Sequence, residues 1–202
     1  MAGEVRTTNG EGMVNVTTQE RKDEIFDMVE RGVTKTLKCT HRKPGITTSK
    51  IPGLCMYYSL VGGTILRELG FTPKVQGGTM TWPCGKDAEG PLYFSYMWNE
   101  VEAGRWIIAG VPVPEIHSWL SVDGEVVDFC TRHLPFACKE TAGLEWTEPH
   151  PPRYMWMTED DLPERVVYKS YPKAENQVMH ITSNMYRWHA KAFSLGMEAA
   201  RR

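Results

Sequence analysis

The sequence lacks a marked excess of either charge, with 23 Lys and Arg against 25 Asp and Glu and a formal net charge of −2. Proteins that bind nucleic acids without sequence preference usually carry an excess of basic residues. No apolar run approaches the roughly 18 residues that cross a bilayer, and residues 1–12 are polar, without the apolar centre of a signal peptide. We therefore expect a cytoplasmic protein with neither a nucleic acid nor a membrane as partner.

Motifs that hold phosphates, metals or a nucleophilic serine are also missing. Gly62-Gly63 and Gly77-Gly78 match neither nucleotide-binding fingerprint, and no Gly-x-Ser-x-Gly segment is present. Cys39-Thr40-His41 and the set Cys130, His133 and Cys138 do not have the paired short spacings of a structural zinc site. The sequence predicts no cofactor and no bound metal.

Five cysteines without an export signal fit a reducing compartment, in which they remain mostly thiols. The 202 residues suffice for one domain with a substantial core, and 41% of them are hydrophobic. Residues 1–16 lack periodicity and are predicted to form a flexible lead. Residues 17–202 are predicted to form a single domain.

Cys55 is predicted to lie in the first turn of an apolar helix. Pro52-Gly53 interrupts the preceding chain, apolar residues then recur at helical spacing, and Gly70 ends a helix of about residues 54–69. Free N–H groups and the helix dipole favour a thiolate at this end, and the Cys55 amide is placed to bind an oxyanion. The alternative is a buried structural thiol. Gly62-Gly63 in mid-helix indicates either close packing on a sheet or a break.

His117 and Asp128 are predicted to share one face of a β-hairpin. Asp123-Gly124 is a strong signal for a two-residue type I′ turn, because both residues tolerate a positive φ. That turn pairs residue 122 with 125, 121 with 126 and 119 with 128, so His117 and Asp128 are diagonal neighbours. A slip of one residue would place them on opposite faces. The alternative is an ordinary pair of surface residues.

A thiol, an imidazole and a carboxylate are the components of an activated cysteine nucleophile. The carboxylate fixes the imidazole tautomer and stabilises the imidazolium, while the other ring nitrogen takes the proton from sulfur. On this interpretation Cys55 is the nucleophile, His117 the base and Asp128 the residue that orients it.

Three segments together resemble the transglutaminase-like superfamily of papain-like cysteine enzymes. They are Gly53-Leu54-Cys55 with its apolar helix, His117-Ser118-Trp119, and Val126-Val127-Asp128. The resemblance implies an α+β fold with a papain-like core, in which the nucleophile helix packs on an antiparallel sheet, and a Cys-His-Asp triad. The stretch from Thr79 to Arg105 looks like an insertion, and an Arg-Gly-Gly lead-in to the cysteine is absent, so acetyl-CoA chemistry is not expected.

The rest of the chain predicts flanking helices and further strands. Thr17 and Glu20 match a capping box that opens an amphipathic helix over about 18–37, and a second flanking helix covers about 174–201. Strands are predicted at 74–82, 92–98, 105–109 and, at a sheet edge, 165–171. Loops are predicted at 83–91 and 131–157, and a short helical turn at 158–161. The aromatic residues of the middle region either line a groove or belong to the core: Trp82, Tyr93, Phe94, Tyr96, Trp98 and Trp106.

Two functions remain open from the sequence. The first is a cysteine hydrolase or acyltransferase that acts on a peptide, a protein or a small amide or ester through a Cys55 thioester, as a peptidase, deamidase or transglutaminase does. The second is a non-catalytic interaction scaffold or effector with the same fold. The sequence does not specify the acyl acceptor or the oligomeric state.

Overall fold

The computed structural model describes residues 17–41, 51, 53–97, 106–108, 111–113 and 115–202, with the backbone alone for 106–108 and 111–113. Helices pack on an antiparallel sheet, which confirms the predicted α+β class. The predicted lead, residues 1–16, lies outside the described residues, as does most of the connector before Gly53.

Three long helices pack together on one side of the sheet: α1 (Gln19–Thr40), α2 (Leu54–Glu68) and α4 (Pro172–Ala200). The predicted helix ends lie within about three residues of these bounds. The predicted capping box is wrong in register, since the N-cap is Thr18, whose Oγ1 accepts from the Arg21 N–H at 3.3 Å. Among the described residues no helix is long and apolar enough to cross a membrane.

The main sheet has six strands, and a separate ribbon pairs two short ones. The main strands are β1 (Lys74–Lys86), β2 (Pro91–Tyr96), β5 (His117–Val122), β6 (Glu125–Asp128), β7 (Met155–Met157) and β8 (Val167–Ser170). They follow in the order β2, β1, β5, β6 and β7, and β8 also pairs with β1. The ribbon consists of β3 (Trp106–Ile108) and β4 (Val111–Val113).

Strand β1 holds β5 and β8 on its two edges at one residue. Gly78 pairs with His117 of β5 and with Ser170 of β8. A Cβ at Gly78 would come within 2.0 Å of the Lys169 carbonyl oxygen. At Gly78, β8 therefore approaches β1 as closely as a residue without a side chain permits.

The sheet has a hydrophobic cluster on each face. The α-helical side contains Leu120, Val127 and residues of α1, α2 and α4. On the opposite face Trp119, Val126 and Tyr168 belong to a smaller cluster that the segment after β6 covers. Successive side chains of a strand point to opposite faces of the sheet, which accounts for the two clusters.

Two predicted loops are shorter in the structure, at about 87–90 and 143–154. Strand β1 continues through Pro83 to Lys86, with an irregular register against β2 between Pro83 and Gly85. The stretch 131–157 contains a 3₁₀ turn, the short helix α3 (Leu134–Ala137), a π-helical turn and β7. The predicted turn at 158–161 and the edge strand at 165–171 are confirmed as a 3₁₀ turn and β8.

Candidate functional site

The hairpin that carries the candidate base has the predicted register. Asp123 and Gly124 have φ values of 50° and 87°, as a type I′ turn requires. The pairs Val122–Glu125, Ser121–Val126 and Leu120–Val127 follow from that turn. His117 and Asp128 consequently lie on the same face.

The two side chains form a buried hydrogen bond. His117 Nε2 lies 2.6 Å from Asp128 Oδ2, and each side chain is 1% exposed. Since an ionised carboxylate only accepts, Nε2 carries the proton and donates it. In the neutral ring, Nδ1 then carries the lone pair. This nitrogen is buried and has no hydrogen-bond partner of standard geometry among the described residues.

Asp128 receives two further hydrogen bonds. The Cys130 backbone N–H donates to Oδ1 at 2.8 Å, and the Tyr168 hydroxyl donates to Oδ2 at 2.9 Å. All three partners are donors, so both carboxylate oxygens act as acceptors. The bond from the Cys130 amide also fixes the carboxylate relative to the end of β6.

Cys55 is the second residue of α2, where a helix leaves backbone N–H groups without intrahelical partners. Gly53 precedes the helix with φ 71° and ψ 24°, a left-handed conformation that favours glycine. The Cys55 residue is 8% exposed, compared with 1% for His117 and 1% for Asp128. The sulfur-bearing residue is therefore the most accessible of the three.

The surroundings of His117 raise its pKa. Burial lowers the pKa of the imidazole, but the charge of Asp128 and its hydrogen bond outweigh burial, and the nearby Cys55 side chain adds to the rise, so that the pKa of His117 reaches about 10. The influence of Cys55 shows that the helix tip and the imidazole are neighbours. The structure thus brings all three predicted site residues together.

Aromatic rings enclose the imidazole. Tyr96 stacks on it with ring centroids 5.3 Å apart, and Trp119 lies near-parallel at 6.1 Å. Tyr168 is tilted at 6.1 Å and meets the edge of Trp119 at 5.3 Å. Trp119 is on the face that the hairpin register predicts. Of the aromatic group predicted as groove or core, Trp82 and Phe94 are buried in the core of this face.

Tyr168 was not recognised in the sequence as a site residue. Its contact with Asp128 spans 40 positions and depends on how β8 pairs with β1. The only sequence signal was the predicted edge strand at 165–171, which places Tyr168 in a strand without identifying its partner.

Two contacts hold the cysteine helix against the histidine strand and the residue that follows β6. Ser118 Oγ donates to Ser59 Oγ at 2.9 Å, and both residues are buried. A Cβ at Gly62 would lie 2.7 Å from the Phe129 ring, so the helix passes this ring without a break. Close packing, the first of the two predicted explanations, accounts for Gly62.

The residues considered for zinc have other neighbours. The His133 ring bonds Tyr58 and Arg132, the Cys138 thiol lies beside Cys84, and His41 Nε2 is 3.3 Å from the Tyr57 hydroxyl. Within the described part of the chain, no group of three or more His, Cys, Asp or Glu side chains has a geometry that could hold a metal ion.

Comparisons with known proteins support the fold alone. No protein-family model matches the chain, and no curated protein matches it. A solved crystal structure, described only as that of a genomics protein, is similar in fold with a TM-score of 0.52 and 17% sequence identity. The alignment covers 95% of this chain and 81% of that one. This similarity supports the mixed α+β architecture.

Proposed function

We propose that the protein is a transglutaminase-like cysteine enzyme, a hydrolase or acyltransferase acting on an amide or ester carbonyl. The observation that carries the proposal is the buried His117–Asp128 pair. Its Nε2 donates to the carboxylate, and its Nδ1 lies near Cys55 with no hydrogen bond of standard geometry among the described residues. The papain-like core and the superfamily membership belong to this proposal, as does the cytoplasmic location.

The chemistry begins with the Cys55 proton on His117 Nδ1, where the raised pKa of the imidazole favours it. The sulfur attacks the carbonyl carbon, a C–S bond forms, and the carbonyl electron pair moves to oxygen. As that pair returns, the bond to the amine or alcohol breaks, and His117 gives its proton to the leaving group. A thioester on Cys55 remains.

The second half of the reaction releases the acyl group. A water or an amine attacks the thioester, His117 takes its proton, and the C–S bond breaks with return of that proton to sulfur. Water gives hydrolysis and an amine gives acyl transfer. The Cys55 backbone N–H, in the first turn of α2, is one proposed donor to the oxyanion.

Alkylation tests the activated thiol directly. Iodoacetamide at neutral pH, with modified peptides mapped by mass spectrometry, is expected to label Cys55 faster than Cys39, the cysteine most exposed in the structure. His117→Ala should slow labelling of Cys55 strongly. His180→Ala, a histidine on the exposed side of α4, is the matched control and should leave the rate unchanged.

An acyl donor tests the chemistry itself. With p-nitrophenyl acetate, intact mass spectrometry should detect one acetyl group on Cys55, which Cys55→Ala lacks. Added methylamine should give N-methylacetamide if the enzyme transfers acyl groups. If Cys55 labels no faster than Cys39 and acquires no acetyl group, the enzyme proposal is wrong and the scaffold hypothesis stands.

A further inference from the structure

One oxygen of Asp128 serves two donors. Oδ2 accepts from His117 Nε2 at 2.6 Å and from the Tyr168 hydroxyl at 2.9 Å. The Cys130 amide occupies the other oxygen, Oδ1. The tyrosine and the histidine therefore compete for charge on the same atom.

Packing leaves the Tyr168 hydroxyl little freedom. Tyr168 is 8% exposed, its ring meets Trp119 edge-on, and β8 carries it along the edge of β1 opposite β5. Tyr168 pairs with Met80 in the register of these strands. Its position is thus set by the sheet and does not depend on a loop.

Asp128 determines the direction of the hydrogen bond from Tyr168. An ionised carboxylate only accepts, so the tyrosine hydroxyl donates its proton to Oδ2. The buried indole N–H of Trp82, which has no hydrogen bond of standard geometry among the described atoms, lies near the Tyr168 oxygen. An indole N–H only donates, so this neighbour does not compete for the tyrosine proton.

We propose that Tyr168 is a positioning residue of this site, which holds Asp128 in place and limits how strongly Oδ2 attracts the Nε2 proton of His117. The inference deepens the proposed function and rests on it for its catalytic meaning. Each hydrogen bond to a carboxylate oxygen disperses its charge, so a second donor weakens the pull on the first. When the tyrosine hydroxyl is lost, the negative charge of Oδ2 interacts with His117 alone and attracts its proton more strongly.

The test measures the pKa of His117 by NMR of isotope-labelled imidazoles, in a Cys55→Ala background that removes the influence of the thiol. Tyr168→Phe is expected to raise the pKa of His117 by about one unit, a tenfold change in proton affinity, the effect of one charge-assisted hydrogen bond. The matched control is Tyr154→Phe. Tyr154 also donates to an aspartate, Asp23, at 2.6 Å, but lies outside the site.

A second substitution is expected to shift the pKa of His117 in the opposite direction. Replacement of Tyr168 by 3-fluorotyrosine keeps the ring and makes the hydroxyl a stronger donor, so the pKa of His117 should fall. This variant also serves if Tyr168→Phe does not fold. An unchanged pKa in either variant, or a shift against the stated direction, overturns the proposal.

The test of Tyr168 is independent of the test of the proposed function, because the NMR titration of His117 does not require an active enzyme. In the parent chain with Cys55, the pH profile of alkylation should move with the pKa of His117 in the 3-fluorotyrosine variant. If the pKa of His117 responds but Cys55 never labels selectively, the positioning role stands and the enzyme proposal fails.

Discussion

The buried His117 and the half-buried His133 have pKa values shifted in opposite directions. Burial is the largest influence on each and lowers the pKa of both. At His117 the carboxylate of Asp128 reverses the effect, and the pKa rises to about 10. At His133 burial and the neighbouring Arg132 act together, and the pKa falls to about 4.

The contacts of His133 explain its neutral ring. Its Nε2 lies 3.2 Å from Arg132 Nε, which donates, and 3.1 Å from the Tyr58 hydroxyl. Glu30, the nearby carboxylate, bonds Tyr58 and Arg132. The same residue type thus becomes a charged or a neutral group according to whether a carboxylate faces it directly. Only the first arrangement suits an imidazole that stabilises a thiolate.

The largest effect is expected from removal of the carboxylate charge. In Asp128→Asn burial acts on His117 against the weaker influence of Cys55 alone, so the pKa of His117 should fall below its ordinary 6.5, a change of more than about 3 units. NMR titration of the imidazole checks this. Under the proposed function, kcat should drop roughly 10³- to 10⁴-fold, as in other triads that lose their carboxylate. A pKa that stays near 10 would contradict the role given to Asp128.

Stability at alkaline pH should reflect the raised pKa of His117. The folded state holds a proton there that the unfolded chain has lost, so the free energy of unfolding should fall as the pH rises from about 6.5 to about 10. The loss is expected to reach up to about 5 kcal/mol. Urea unfolding across this range measures it, and Asp128→Asn should show a flatter dependence. Parallel curves for the two proteins would refute the expectation.

Stability at acid pH should reflect the lowered pKa of His133, with the opposite sign. The unfolded chain binds a proton below about 6.5 that the folded state binds only near 4, so folding weakens as the pH falls through this window. The contribution is expected to be about 2 to 3 kcal/mol. Carboxylates also titrate in this pH window. The measured quantity is therefore the difference in the free energy of unfolding between the parent chain and His133→Gln. A difference independent of pH would rule out the effect.

The smallest effect is expected at Arg132. Its charge lowers the pKa of His133, so Arg132→Gln should raise that pKa by roughly half a unit to one unit. The value should remain below 6.5, since burial is the larger cause. NMR titration of His133 decides the matter, with His117 in the same spectra as an internal control. A pKa of His133 above 6.5 in Arg132→Gln would mean that the charge of Arg132, and not burial, is the main cause of the lowered pKa.

Short-range rules predicted the hairpin and the cysteine helix. The Asp123-Gly124 turn sets the strand register, which brings His117 and Asp128 to one face, and the apolar spacing after Gly53 sets the helix that carries Cys55. Each of these depends on residues within a few positions of one another, which is why sequence patterns contain the information.

Contacts between distant segments were not predictable in the same way. Tyr168 reaches Asp128 across 40 positions, and Tyr58 reaches His133 across 75. Both depend on strand pairing or helix packing that no local pattern specifies. The strand through Pro83 was missed because proline usually ends strands, whereas here it lies beside an irregular register against β2.

The missing side chain at Gly78 limits how this protein can diverge over evolutionary time. Any larger residue at this position would meet the Lys169 backbone, push β8 outward and carry Tyr168 away with it. Glycine at position 78 is therefore a condition for the contact between Tyr168 and Asp128, and we expect selection to keep it for as long as that contact matters.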